Sequence, residues 1–160
     1  MNSRKKIETR NKKYLKYYFN MSPKEWLNRL KMAGPPQNEF AKSWSLINPA
    51  GGWCGSVTKA LMLSGKVPDG FIPCRNKLDA HFYMINKETQ EVIDLTVYQM
   101  PEEYKFDYTD YKTNHLFFPI VNKSTRILMR TLKLKIDKSR FETHEKRGIE
   151  YYKKKKSIGK

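Results

Sequence analysis

Three side chains in this sequence have the types, order and local setting that nucleophilic catalysis requires: Cys54, His81 and Asp94. Cys54 follows Gly51-Gly52-Trp53 and precedes VTKALMLS (57–64), a mostly apolar run of good helix formers closed by Gly65, so it falls at or just before the first turn of a buried helix. The reactive form of a cysteine is its thiolate, and the positive end of a helix favours that form. An adjacent imidazolium favours it further. His81 opens an expected strand over 80–86 (AHFYMIN), and Asp94 lies in a second over 91–98 (EVIDLTVY), with 87–90 as the turn. A hairpin of that kind brings Asp94 next to His81, where a carboxylate accepts from the imidazole ring and fixes its tautomer.

Other elements must support this centre. Residues 4–20 read as a helix with Ile7, Tyr14, Leu15, Tyr18 and Phe19 tending to one face. A second helix starts at Ser22 as N-cap, with Pro23 in the first position and Glu25 completing a capping box. Trp26, Leu27 and Leu30 form its apolar stripe, and Gly34-Pro35-Pro36 ends it. The stretch through Pro68, Gly70 and Pro73 reads as a loop, and 114–121 as an edge strand carrying Pro119. Residues 125–136 fit strand and helix about equally. The expected fold class is α+β, with helices packed on a small antiparallel sheet. Residues 1–140 are expected to form a single domain, and 141–160 a basic, partly disordered tail.

The pieces GGWCGSVTKAL, DAHFYMIN and EVIDLT, in that order, resemble the papain-like superfamily and within it the transglutaminase-like branch. The resemblance covers roughly residues 48–98 and neither flank. It implies a Cys54-His81-Asp94 triad acting through a thioester on a peptide or amide: peptidase, isopeptidase, amidase or transglutaminase-type transfer. It also implies an oxyanion hole. The Cys54 main-chain N–H is one donor, left unpaired by the helix start, and Asn48, six residues upstream, is the candidate for the other. Trp53 and Phe82 flank the nucleophile and the base and are expected to wall the cleft. Asp79 is a reserve orienter for His81. Ser56 and Thr58 are expected to hydrogen-bond at the helix start, and His115 and His144 carry no pattern around them.

The 160 residues carry a net charge of +16, unevenly placed: +8 over 1–31, −2 over 32–120 and +10 over 121–160. Basic flanks attract polyanions or an acidic partner. They support a second class of function, a non-enzymatic nucleic-acid binder in which Tyr14, Tyr17, Tyr18, Tyr151 and Tyr152 stack on bases. A third reading keeps the papain-like scaffold as an inactive binding module. With 39% hydrophobic and 13% aromatic residues the chain is not a disordered tail. No apolar run approaches the roughly 18 residues of a membrane span, and no secretory signal is evident. Two cysteines, Cys54 and Cys74, make no disulfide framework, so reduced thiols in the cytoplasm are expected. No cofactor is expected. A zinc site from Cys54, Cys74, His81 and His115 is disfavoured, because no pair has close ligand spacing.

Overall fold

The N-terminal helices form where the sequence supplies their caps. A computed structural model describes residues 2–77, 81–103, 105–113 and 122–158. Helix α1 (Arg4–Phe19) is capped by Ser3, whose side chain accepts from the Lys6 N–H, and it stops at Asn20 in the left-handed region. Helix α2 (Pro23–Ala33) starts at Ser22, which accepts from the Glu25 N–H at 3.1 Å. Ile7, Asn11 and Leu15 are fully buried on α1, while Lys5, Lys6, Lys12, Lys13 and Lys16 are exposed. The basic N-terminal segment is therefore an integral wall of the fold with its charge turned outward.

Helix α3 (Cys54–Leu63) begins at the cysteine itself and is the most buried helix described. Strand β1 (Phe71–Asn76) follows, then β2 (Phe82–Asn86), the two-residue β3 (Val92–Ile93) and β4 (Tyr111–Thr113). The sheet is antiparallel in the order β3-β2-β1-β4. Two expectations are corrected here. Residues 71–76 form a strand rather than a loop. Pro73 is tolerated because β4 pairs only with Cys74–Asn76, so its missing N–H faces no neighbour on that side. The strand expected over 91–98 stops after Ile93, because the Asp94 side chain accepts the Thr96 N–H and the Val97 N–H turns back to the Asp94 carbonyl.

Helix α4 (Lys123–Thr131) resolves the ambiguous 125–136 segment. Asn122 caps it by accepting from the Thr125 N–H and hydroxyl. Helix α5 (Lys138–Ile158) runs through the boundary expected at 140 and carries most of the segment read as a partly disordered tail. The strand expected over 114–121, with His115, lies outside the described residues, as does Asp79. Among the described residues the fold is thus α+β, five helices with one four-stranded sheet.

The alternation of β2 divides the core. Met84 joins Trp26, Leu30, Trp53, Val57, Leu61, Ile93 and Leu128 in one cluster. Tyr83 and Ile85 join Ile7, Cys74, Val92, Val97 and Tyr108 in a second. Each large apolar side chain buried here contributes about 1.5–3 kcal/mol. No described helix is long and apolar enough to cross a membrane.

Candidate active site

The approach to Cys54 depends on two glycines. A Cβ on Gly51 would lie 2.0 Å from the Ser43 carbonyl oxygen, and one on Gly52, at φ +78°, would lie 2.5 Å from that of Phe40. Only glycine lets the chain at Phe40 and Ser43 pass this close to the start of α3. Cys54 is half-buried at the first position of α3, where its N–H has no intrahelical acceptor. Burial by itself would raise the thiol pKa. The hydrogen bond and charge of His81, helped by a hydrogen bond from the Phe82 main chain, outweigh that and hold the thiol below its ordinary value, with Asp94 opposing.

His81 is set in place by the start of the β1–β2 hairpin, where the Asn76 N–H donates to its carbonyl at 2.8 Å. Its Nε2 lies 2.7 Å from Asp94 Oδ2, and both side chains are almost completely buried. That leaves Nδ1 as the nitrogen for Cys54. Phe106 packs edge-on against the ring at 5.0 Å between centroids, and Tyr83 stacks at 6.1 Å. Burial pushes the imidazole pKa down, but the Asp94 carboxylate and the Cys54 sulfur outweigh it and lift the group well above its ordinary value.

Asp94 is the most fully bonded group of the site. Oδ1 accepts from the Thr96 N–H at 3.1 Å and the Thr96 hydroxyl at 3.2 Å. Oδ2 accepts from the Tyr108 hydroxyl at 2.8 Å as well as from His81. The main chain is clamped from two helices: Asn11 of α1 donates to the Asp94 carbonyl at 2.8 Å, and Trp26 of α2 donates to that of Leu95 at 2.9 Å. The N-terminal helices thus position Asp94.

The remaining candidates separate. Asn48 is linked to the site through Gln99: its Nδ2 donates to the carbonyls of Gln99 at 3.4 Å and Ser43 at 3.5 Å, and its buried Oδ1 has no hydrogen-bond partner. Trp53 is not a cleft wall. It is 0% exposed, packed in the core, with its indole N–H on the Gly34 carbonyl. Phe82 is half-buried with its ring beside Gly55 at the start of α3. Thr58 donates to the Cys54 carbonyl at 2.8 Å.

Three participants escaped sequence reasoning. Thr96, two residues after Asp94, had a local signal, because that spacing suits a carboxylate-capped turn. Tyr108 and Gln99 had none. The Gln99 Nε2 lies 2.9 Å from His81 Nδ1, and its Oε1 accepts from the Gly52 N–H at 3.2 Å. Cys54 and Cys74 are both free thiols, and Cys74 is buried with its pKa pushed up to about 12, chiefly by that burial. Among the described residues no group of three or more His, Cys, Asp and Glu side chains could hold a metal. No protein-family model, curated protein or solved structure matches the chain.

The arrangement is chemically specific. A thiol at a helix start faces an imidazole whose far nitrogen is held by a buried carboxylate. Such a set can pass the thiol proton to the ring and stabilise the resulting imidazolium.

Proposed function

We propose that the protein is a cysteine-dependent acyl hydrolase or acyltransferase of the papain-like or transglutaminase-like kind. The observation that carries this reading is the His81 ring, 2.7 Å from Asp94 through Nε2 and hydrogen-bonded to the Cys54 thiol at the start of α3. In this reading His81 Nδ1 takes the Cys54 proton and the sulfur attacks the carbonyl carbon of a peptide or amide. The imidazolium then protonates the leaving amine, and water or an acceptor amine resolves the thioester. The Cys54 N–H and the Asn48 amide would receive the oxyanion, the latter by leaving its long bonds to main-chain carbonyls. The proposed setting is the cytoplasm, where both thiols stay reduced, and the positive surface favours an acidic protein or peptide substrate.

The test is the pH dependence of Cys54 alkylation by iodoacetamide, with the adduct located by mass spectrometry, in the wild-type protein and in His81→Ala. Cys54 is expected to react below about pH 7, where an ordinary thiol near 8.5 is almost fully protonated. The His81→Ala variant is expected to lose that reactivity. A thiol that stays inert until about pH 8.5 whether or not His81 is present would overturn the proposal. A reactive, His81-dependent thiol with no turnover of any acyl substrate would favour the inactive binding module.

A polyanion-binding role is the second reading, and one observation favours it. Lys5, Lys12, Lys13 and Lys16 of α1 and Lys146, Lys153, Lys154 and Lys156 of α5 are exposed. Tyr14 does not take part in base stacking, because it is 4% exposed and donates its hydroxyl to the Lys66 carbonyl, whereas Tyr17, 82% exposed, is available for it. Binding to single-stranded nucleic acid that weakens steeply between about 50 and 200 mM salt would support this reading. No binding at the lower salt would remove it.

A further inference from the structure

The second nitrogen of the base is shared, and that sharing has a direction. The Gln99 side chain sits between Gly52, whose N–H donates to Oε1 at 3.2 Å, and His81, whose Nδ1 is 2.9 Å from Nε2. The Gly52 N–H fixes which way the amide points, since the reversed amide would set an NH2 group against that N–H. An amide NH2 is only a donor, so it is matched by an Nδ1 that carries a lone pair. It is mismatched by the Nδ1–H of an imidazolium. The far nitrogen is matched too, because Asp94 already takes donors on both oxygens and accepts the Nε2–H.

We propose that Gln99 is a positioning residue that holds His81 with Nε2–H toward Asp94 and opposes protonation of the Nδ1 that faces Cys54. The inference rests on the reading of Cys54 and His81 as nucleophile and base. Two opposed pulls then meet on one ring. Asp94 draws it toward imidazolium, and Gln99 draws it back toward neutral imidazole. Proton transfer from Cys54 to Nδ1 turns the Gln99 contact from attractive to repulsive, so Gln99 offsets part of the stabilisation that Asp94 gives the thiolate–imidazolium pair. The ionisable groups that face the ring, among the described residues, are Cys54 from α3, Asp94 after β3, Tyr83 from β2 and, through Asp94, Tyr108 before β4. None of these donates to Nδ1 in competition with Gln99 except the Cys54 thiol.

The experiment compares the alkylation rate of Cys54 near neutral pH in wild type, Gln99→Leu and Gln99→Glu, with the His81 titration read by 15N NMR. Loss of the donor in Gln99→Leu is expected to shift the balance toward the ion pair and speed alkylation about tenfold, the worth of one hydrogen bond. In Gln99→Glu a carboxylate accepts the Nδ1–H in place of the sulfur and adds a negative charge beside it, so alkylation is expected to slow. Opposite signs in two variants are not the mark of a merely structural residue. The NMR is expected to show His81 titrating at higher pH in Gln99→Leu than in wild type. Equal rates in all three proteins, or a His81 titration unchanged in Gln99→Leu, would overturn the Gln99 inference and leave the triad reading intact. Alkylation indifferent to His81→Ala would instead remove the triad reading and the inference together.

Discussion

The two halves of the candidate site are built differently. On the acid side, Asp94 and His81 are 1% and 4% exposed, and the carboxylate receives four donors within 3.2 Å. Its main chain is pinned by Asn11 and Trp26 from two separate helices. On the thiol side, Cys54 is half-buried, Asn48 makes bonds of 3.4 and 3.5 Å, and its Oδ1 is orphaned. The difference teaches where rigidity is needed. In the proposed reaction the orienting group must hold one tautomer through every step, and the Asp94 network is complete without substrate. The oxyanion donors of that proposed reaction meet their partner only when substrate is present, and the Asn48 bonds in the resting protein are long enough to be exchanged.

Asp94→Asn should strike hardest. The asparagine is expected to turn an NH2 toward Nε2, force the proton onto Nδ1 and remove the base. Acyl turnover should fall on the order of 10³–10⁴-fold, equivalent to about 4–5.5 kcal/mol, with the fold retained by circular dichroism. Turnover within tenfold of wild type would show that the acid side is not the orienting half. Trp26→Ala comes next, at about 3–5 kcal/mol of folding stability from the lost core volume alone. It also frees the Leu95 carbonyl next to Asp94, so the pH profile of Cys54 alkylation should broaden in the protein that remains folded. A urea midpoint close to wild type would mean that α2 does not clamp the acid side.

Part of each half was legible in the sequence. Cys54, His81 and Asp94 were recoverable because each sits beside an element signal: the glycines and apolar run at α3, the strand start at β2, and the turn-and-strand pattern that follows. Thr96 follows from the same local logic as Asp94. The rest depended on long-range placement. Tyr108 reaches Asp94 across 14 residues and Gln99 reaches His81 across 18, through segments with no periodicity of their own. Trp53 was misread because proximity in sequence to the nucleophile does not fix the direction of a side chain. A residue at the N-cap of α3 turns its ring into the core while its neighbour Cys54 faces His81. β1 was hidden by Pro73, whose tolerance depends on how far β4 extends, and β3 was overestimated because a carboxylate ended the strand for a reason unrelated to β-propensity.

Tyr108→Phe tests one donor in isolation. It leaves the ring packed against Tyr83 and Phe106 and removes only the hydroxyl on Asp94, so stability is expected to fall by about 1 kcal/mol in urea denaturation. A neutral result would mean that three donors satisfy the carboxylate as well as four, and that the acid side is less tightly built than its geometry indicates.

Asn48→Ala should have the smallest effect on stability and is the sharpest test of the contrast. Its two donor contacts are long and one acceptor is already orphaned, so truncation removes little that is well made and relieves a buried polar atom. Folding stability is expected to change by no more than about 0.5 kcal/mol. Turnover is expected to fall on the order of 100-fold, because the oxyanion loses its side-chain donor only in the transition state. That dissociation, stability kept and rate lost, is what a group held in reserve for substrate must show. A stability loss as large as that of Tyr108→Phe would place Asn48 in the framework and make the two halves alike. An unchanged rate would leave the Cys54 N–H as the remaining donor and reassign the oxyanion hole around it.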